Sequence, residues 1–567
     1  MQTRWIIAPA EELNGSAIGW SQICGSLCIS RLLQRKGFAS AEEVEIFLRP
    51  RLKSLSDPFL LPNMQSAVAR IFAAIDRRQR IVLFGDYDVD GVTSLALLAE
   101  MLRAYGVAPE LFLPMRMEEG YGLSHESVER CVEKFRPELL IALDCGTSSR
   151  EEIAGLKHRE VDVIVFDHHE PKSALPDCVA VVNPKIDESS PFHYLCSVGI
   201  VFKLCHALLK TRPLDAFDLK SHLDLVALGT VADIVPLRGE NRTFVQRGAI
   251  EIANTKRAGL KKLIEVSGLR GPILAEDIGF RLGPRLNAAG RLTTAEKSLA
   301  LLLTENESDA AQLAQSLDQQ NRERQQVEKE ILRAAEEKIA SEFDPVRDAA
   351  IVLSQRNWHP GVLGIVASRI ARKYHRPTIV IGFDDNGMGK GSGRSIEGLN
   401  LVRALTRCGG GLEKYGGHEM AAGLTIRENN LAKFCEAFRQ AARELLSDDA
   451  LEPRLHLDHE LKLAEIDIEL LRWHEMLQPF GNGNPQPVFV AREVQMVAPP
   501  RVINEKHLVL RLGQGKALRR AMFFDGAVVP LPPGPWDIAF RIRADNFGGE
   551  TLVELQVTAL RQAGMVD

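Results

Sequence analysis

Three aspartates spaced two residues apart, Asp86, Asp88 and Asp90, lie in the segment Gly85-Asp-Tyr-Asp-Val-Asp-Gly91. Ionised carboxylates at that spacing repel one another unless a cation neutralises them. The segment therefore reads as a hard-metal site or, failing that, as a solvated acidic turn. An EF-hand loop is excluded, because its twelfth position needs a bidentate Glu and that position is Leu97. Further along, Asp144, the run Asp167-His168-His169 and Asn183-Pro-Lys185 each follow an apolar stretch. Asp233 is a charge inside the apolar segment Leu228–Pro236, either a helix-capping residue or a further ligand. Carboxylate oxygens with one or two imidazoles suit Mn²⁺ or Mg²⁺ better than a thiolate-bound zinc. The number of carboxylates points to two ions, about 3.5–4 Å apart, which can activate water and steady the oxygens of a phosphoester under attack.

Such a set works only if the chain gathers it. Ile81–Phe84, Leu139–Leu143, Val161–Phe166 and Val179–Val182 are short apolar runs, each closed by Gly, Asp or Asn, with helical spacing between most of them. That alternation predicts an α/β fold with a doubly wound parallel sheet, whose carboxyl edge forms one crevice. Asp86, Asp88, Asp90, Asp144, Asp167, His168 and His169 would all arrive at that edge. From Asn306 to Phe343 the chain is nearly free of Gly and Pro and keeps an apolar stripe through Leu313, Leu317, Val327 and Ile331. One long connecting helix is expected there. A second α/β unit should follow to about residue 447, and short alternating strands from about 455 predict a small C-terminal β-barrel. The expected division is a helical lead-in over 1–50, a catalytic domain over 51–305, the helix over 306–345, the second α/β domain over 346–450 and the barrel over 451–567.

With 567 residues, several domains can each bury a core. Lys plus Arg number 70 against 75 Asp plus Glu, a net charge of -5, so a nucleic-acid partner must be held by a local basic surface. One such surface is expected on the barrel. Arg501, Lys506, Arg511, Lys516, Arg519 and Arg520 face a single acid, Glu505, within twenty residues, and Phe523 and Phe524 are close by. This fits phosphate contact plus base stacking, although the same charges would also suit an ordinary solvated face. The nine cysteines are scattered and form no C-x-x-C pair, so reduced thiols in a cytoplasmic chain are expected and a cysteine-based zinc site is not. The first dozen residues lack a long apolar core and no run of about 20 apolar residues occurs. Neither a secretory leader nor a membrane span is therefore expected.

The segments D-Y-D-x-D-G, D-C-G-T, D-H-H, N-P-K and G-T-V-A-D-I-V-P-L, in this order, resemble the DHH phosphoesterase superfamily. Glu119–Leu123, Gly283–Arg291, Trp358–Arg369, Gly416–His418 and Pro479–Pro485 extend the resemblance to its single-strand exonuclease branch. The resemblance implies a DHH domain, a DHHA1 domain and a terminal oligonucleotide-binding (OB) barrel. It also implies Mn²⁺- or Mg²⁺-dependent degradation of single-stranded DNA from the 5′ end to mononucleotides. Carried over to this chain, Asp86, Asp88 and Asp144 would hold one ion, and Asp90, Asp144, His168 and Asp233 the other. His169 would face the scissile phosphate and Asp167 would orient the histidine pair. Arg116, Arg281, Arg285, Arg291, His359, Ser392, Arg394 and His418 are candidate phosphate contacts, joined on the barrel by Arg511, Lys516 and Arg519. A bacterial, monomeric enzyme of recombination and repair, in contact with single-stranded-DNA-binding protein and a helicase, is implied in the same way. Two rivals remain. A phosphodiesterase of short oligonucleotides or cyclic dinucleotides would need neither the extra length nor the barrel. A non-catalytic replication scaffold of the same superfamily would have lost ligands that are all present here.

Overall fold

The computed structural model describes residues 3–9, 15–115, 122–172, 174–292, 294–545 and 550–565. The chain divides into two compact units. One comprises residues 1–4, 288–294 and 315–455, and the other 5–287, 295–314 and 456–567.

In the second of these, five strands form a fully parallel sheet: β1 (Ile81–Phe84), β2 (Glu110–Phe112), β3 (Leu139–Leu143), β4 (Asp162–Phe166) and β5 (Ala180–Val182). Both faces of β1 and β3 are buried, which is why these strands read as unbroken apolar runs and not as alternating ones. The order is β2-β1-β3-β4-β5. The first strand thus sits inside the sheet, and the winding reverses between β1 and β3. A reversal of this kind opens a crevice at the strand ends.

Four helices frame that crevice or brace its walls: α1 (Val89–Ala104), α2 (Ser197–Thr211), α3 (Leu223–Ala232) and α4 (Gly239–Ala253). The barrel belongs to this same unit. Phe489–Ile503 pairs with both His507–Gln514 and Trp536–Asp545. Ala517–Phe523 pairs with His507–Gln514 on one side and runs parallel to Leu552–Gln562 on the other. Leu552–Gln562 returns to Trp536–Asp545, so five strands close on themselves. The helical lead-in contributes Trp20, Ile29, Leu32 and Leu33 to the same apolar cluster as Phe489, Leu510 and Phe540. Arg242 of α4 ties these parts together. It donates to the carbonyls of Phe47, Met476 and Leu477 at 2.8–2.9 Å while its guanidinium lies 3.7 Å from the centre of the Phe47 ring. Burial lowers its pKa to about 9.

The other unit is built on a mixed sheet, ordered 412–417, 421–427, 388–394, 378–383, 351–356, with only the last two strands parallel. The expected long helix runs over Glu307–Glu342, 36 residues or about 54 Å. Among the described residues no helix is long and apolar enough to cross a membrane. All nine cysteines are free.

Candidate metal centre

The aspartates are placed by backbone geometry before any ion is considered. Strand β1 ends at Phe84, and the chain turns so tightly into α1 that a Cβ on Gly91 would lie 2.5 Å from the Asp86 carbonyl oxygen. Glycine is required there for close approach, not for flexibility. Asp88 is the N-cap of α1, with Oδ1 accepting from the amides of Asp90 and Gly91. Asp90 is held from outside. The N-terminus of α2 reaches it, and the amides of Ser197 and Val198 donate to its two oxygens at 2.7 and 2.8 Å. Asp144 follows β3 directly with φ +65°, and the Ser197 hydroxyl donates to its Oδ1 at 3.0 Å.

Asp167 follows β4. Its Oδ1 accepts from the amides of His168 and His169 and bonds His169 Nδ1 at 2.7 Å, and its Oδ2 accepts from the Thr147 amide. Both oxygens are engaged, so Asp167 suits orienting the histidine pair and not ligation. Asn183, directly after β5, completes this layer by donating to Thr147 Oγ1 and to the His169 carbonyl. Asp233 caps the C-terminus of α3. A carboxylate at that end of a helix opposes the macrodipole, so capping does not account for it. Its Oδ2 lies 3.5 Å from His168 Nε2.

The result is a convergence at the switch between β1 and β3. His168 Nε2 is also 3.4 Å from Asp144 Oδ1 and 3.9 Å from Asp90 Oδ2. Three overlapping groups, Asp86/Asp88/Asp144, Asp144/His168/His169 and Asp90/His168/Asp233, each bring their potential donor atoms within 4.8 Å of one another. Protonation equilibria show the strain of assembling these charges. Burial first, then the Asp88 charge, pushes Asp90 up to about 7 against the relief of its backbone donors. Burial and the surrounding carboxylates likewise raise Asp144 and Asp233. Asp167 goes the other way: burial alone would raise it, but the bond to His169 and the histidine charges hold it well below the usual carboxylate range. His169 is raised in turn: burial alone would lower it, but its bond to Asp167 outweighs that. A buried, mutually repelling set of oxygen donors with an imidazole among them is what a divalent cation would relieve, so the residues present fit Mn²⁺ or Mg²⁺.

The candidate phosphate contacts are more dispersed. Arg116 and the side chain of Arg291 lie outside the described residues. Arg281 is exposed, and Arg285, one turn on, donates to the Arg281 carbonyl. Phe280 beside them is 81% exposed, an apolar surface that charge counting passes over. In the other unit, His359 caps helix Pro360–Tyr374, Nδ1 accepting from the Gly361 amide. Arg394 donates to Ser392 Oγ. His418 lines a cavity of about 680 Å³ together with Asn400, Arg403 and Arg407, three residues that carry no motif in the sequence.

The barrel stripe divides. Register pairs Arg511 with Arg520 but Leu512 with Arg519, so Arg519 lies on the face that carries the buried Leu512, where it donates to the Ile466 carbonyl. Arg520 pairs with Asp545 and Glu554. Phe523 packs against the barrel core, and Phe524 has the Arg543 guanidinium 5.6 Å from its ring. Arg511 and Lys516 stay exposed.

Fold and site together define a class. Residues 80–230 match the model of the DHH family, N-terminal domain, residues 347–444 the DHHA1 domain and residues 457–559 the RecJ OB domain. The chain is 37% identical to the single-stranded-DNA-specific exonuclease RecJ of Haemophilus influenzae, over 93% of this chain and 95% of that one. It is 38% identical to the Bacillus subtilis RecJ over 81% of its own length, but spans only 58% of that relative. The crystal structure of RecJ in complex with Mn²⁺ from Thermus thermophilus superposes with a TM-score of 0.85 at 30% identity, covering 100% of this chain and 80% of that chain. The chain belongs to the RecJ family.

Proposed function

We propose that this chain is a metal-dependent exonuclease that hydrolyses single-stranded DNA from its 5′ end to mononucleotides, with two divalent ions at the β1–β3 crevice. The observation carrying this reading is the sharing of Asp144 between the Asp86/Asp88 group and the His168 group. Asp86, Asp88 and Asp144 would hold one ion, and Asp90, Asp144, His168 and Asp233 the other. When bound, the ions supply a polarised water and neutralise charge on the phosphoryl oxygens. The protein's own part is positional. Asp167 fixes His169 through Nδ1, which leaves Nε2 to bond a phosphate oxygen. The N-terminus of α2 keeps Asp90 aimed while the substrate is exchanged.

Arg281 and Arg285 in one unit, and His359, Ser392, Arg394 and His418 in the other, are assigned to the DNA backbone. The catalytic domain spans 51–305 and the second α/β domain 346–450, with the barrel over 451–567 as a single-strand grip. A monomer in a reducing cytoplasm, serving recombination and repair beside a single-strand-binding protein and a helicase, is the corresponding setting. The names of its relatives support the single-stranded substrate.

Digestion of end-labelled strands tests the reading. With Mn²⁺, a 5′ label is released as mononucleotide at once and a 3′ label only as digestion ends, while blunt duplex resists. Early release of the 3′ label, or comparable rates on blunt duplex, overturns it.

Binding by the barrel is tested separately. Arg511→Glu with Lys516→Glu lowers affinity for long single strands. It also flattens the log–log salt slope by about 1.4, because each phosphate no longer neutralised removes about 0.7. Turnover of a saturating short oligonucleotide stays near wild type. An unchanged slope in a salt titration returns these two residues to a solvated face.

A further inference from the structure

The turn that carries Asp233 closes with two local bonds, the amides of Asp233 and Ile234 donating to the carbonyls of Gly229 and Val231, yet it holds a strained residue. Helix α3 ends at Ala232, Asp233 caps it, and Ile234 follows with φ +60°. That position after a helix is normally Gly or Asn, because a β-branched residue in the left-handed region is a steric outlier. Packing does not hold Ile234 there, since it is 70% exposed. Beyond its local bond to Val231, its grip comes from a distant segment, around residue 482.

Asn482 donates from Nδ2 to the Ile234 carbonyl at 2.7 Å, and its own backbone carbonyl accepts from the Leu237 amide at 2.7 Å. One residue thus pins both ends of Ile234–Leu237. The loop bearing Asn482 is itself rigid. Gly481 and Asn484 exchange backbone hydrogen bonds at 3.0 and 3.1 Å. The buried Asn484 side chain donates to the carbonyls of Leu477 and Pro479 and accepts from Lys36 Nζ. Two glycines let the loop approach. A Cβ on Gly483 would lie 2.9 Å from Pro236 Cβ, and one on Gly481 would lie 2.7 Å from Leu237 Cδ1.

We propose that Asn482 is a positioning residue for the metal centre: it clamps the strained Asp233–Ile234 turn and thereby holds the Asp233 carboxylate towards His168. Backbone strain of this kind persists only where the surroundings over-determine it. With the clamp gone, Ile234 relaxes to negative φ and rotates the preceding peptide, which carries Asp233 away from its 3.5 Å approach to His168. The segment leading into the barrel therefore takes part in building the hydrolytic site. This inference rests on the reading of Asp233 as a ligand.

The test is isothermal titration of the full chain with Mn²⁺ alone, alongside thermal melting. Asn482→Ala, and the isosteric Asn482→Asp that replaces the donor with a charged acceptor, weaken Mn²⁺ binding about tenfold, in the range expected when a partner orienting a ligand is lost. Adding Ile234→Gly to Asn482→Ala restores the affinity, because glycine takes φ +60° without a clamp. Ile234→Gly alone binds Mn²⁺ as the wild type does. A loop that merely stabilised the fold would not be rescued by a glycine at the strained position. Wild-type Mn²⁺ affinity in both Asn482 variants overturns the inference, and so does failure of the glycine rescue. Asp233→Asn separates the two readings. If it weakens Mn²⁺ binding while the Asn482 variants do not, the clamp is wrong and the ligand assignment stands. If it leaves binding intact, the ligand assignment falls and the clamp's role falls with it.

Discussion

Asp144→Asn abolishes Mn²⁺-dependent hydrolysis, by about a thousandfold or more, without lowering the melting temperature. Asp144 is the residue shared between the Asp86/Asp88 and His168 groups, so its charge is the one whose removal is felt throughout the centre. Several kcal/mol of charge stabilisation depend on a bound ion, and each 1.36 kcal/mol is about a factor of ten in rate. Asparagine keeps an oxygen for the Ser197 hydroxyl and tolerates the left-handed backbone. It also removes a buried negative charge that Asp90, Asp88 and Asp233 oppose, so the ion-free fold has nothing to lose. Turnover near that of the wild type in the purified variant, measured at saturating Mn²⁺, refutes the assignment.

Lys203→Met lowers stability by about 3–5 kcal/mol, the cost of stranding a buried charge. Lys203 lies on α2 and is 0% exposed. Its Nζ donates to both oxygens of Glu240 at 2.9–3.0 Å and to the Ser56 carbonyl at 2.7 Å, 4.7 Å from the centre of the Phe192 ring. Glu240 in turn accepts from the Ser56 amide. Burial lowers the lysine pKa, so this charge persists because it is fully met by partners. Lys203→Met leaves Glu240 without its counter-ion, whereas adding Glu240→Leu removes the stranded charge as well. The double variant regains most of the loss in urea unfolding. Equal destabilisation of single and double variants would show that packing, not charge, governs this position. The same helix presents the Ser197 and Val198 amides to Asp90, so the single variant should also loosen the metal centre.

The strand-end acids are legible in the sequence because a carboxylate closing a buried apolar run has few reasons to be there. Asp86, Asp88, Asp90, Asp144 and the Asp167–His169 run converge as expected at the carboxyl edge of the sheet, and Asp233 joins them from a helix end. Other parts of the site give no sign of their role. Ser197 acts through its backbone amide as well as its hydroxyl, and a backbone donor has no residue type to mark it. Asn482 falls in the Pro479–Pro485 segment that carries the resemblance, but its residue type names no role, and the positive φ of Ile234 is what points to the proposed clamp. The basic stripe misleads for a different reason. Counting charges along 501–520 ignores that successive strand residues face opposite ways, and the register with Leu512 sends Arg519 to the buried face. The attachment of the N-terminal helices to the barrel core is likewise invisible in the sequence, since apolar faces do not name their partners.

The left-handed conformation of Asp144 has a consequence for how freely this protein can drift. At φ +65° the side chains that fit readily are glycine, asparagine and aspartate. Of those three only aspartate is anionic. Glutamate, elsewhere a conservative exchange, lacks the short side chain that favours this backbone, and although Glu160, Glu493 and Glu505 adopt it in this chain, its extra methylene moves the carboxylate. Two independent demands, one steric and one electrostatic, intersect on a single amino acid. Asp88, with its extended backbone at φ -88°, is under no such double restriction. Position 144 therefore favours aspartate on two grounds at once, and an exchange there gives up backbone fit, charge or the placement of the carboxylate.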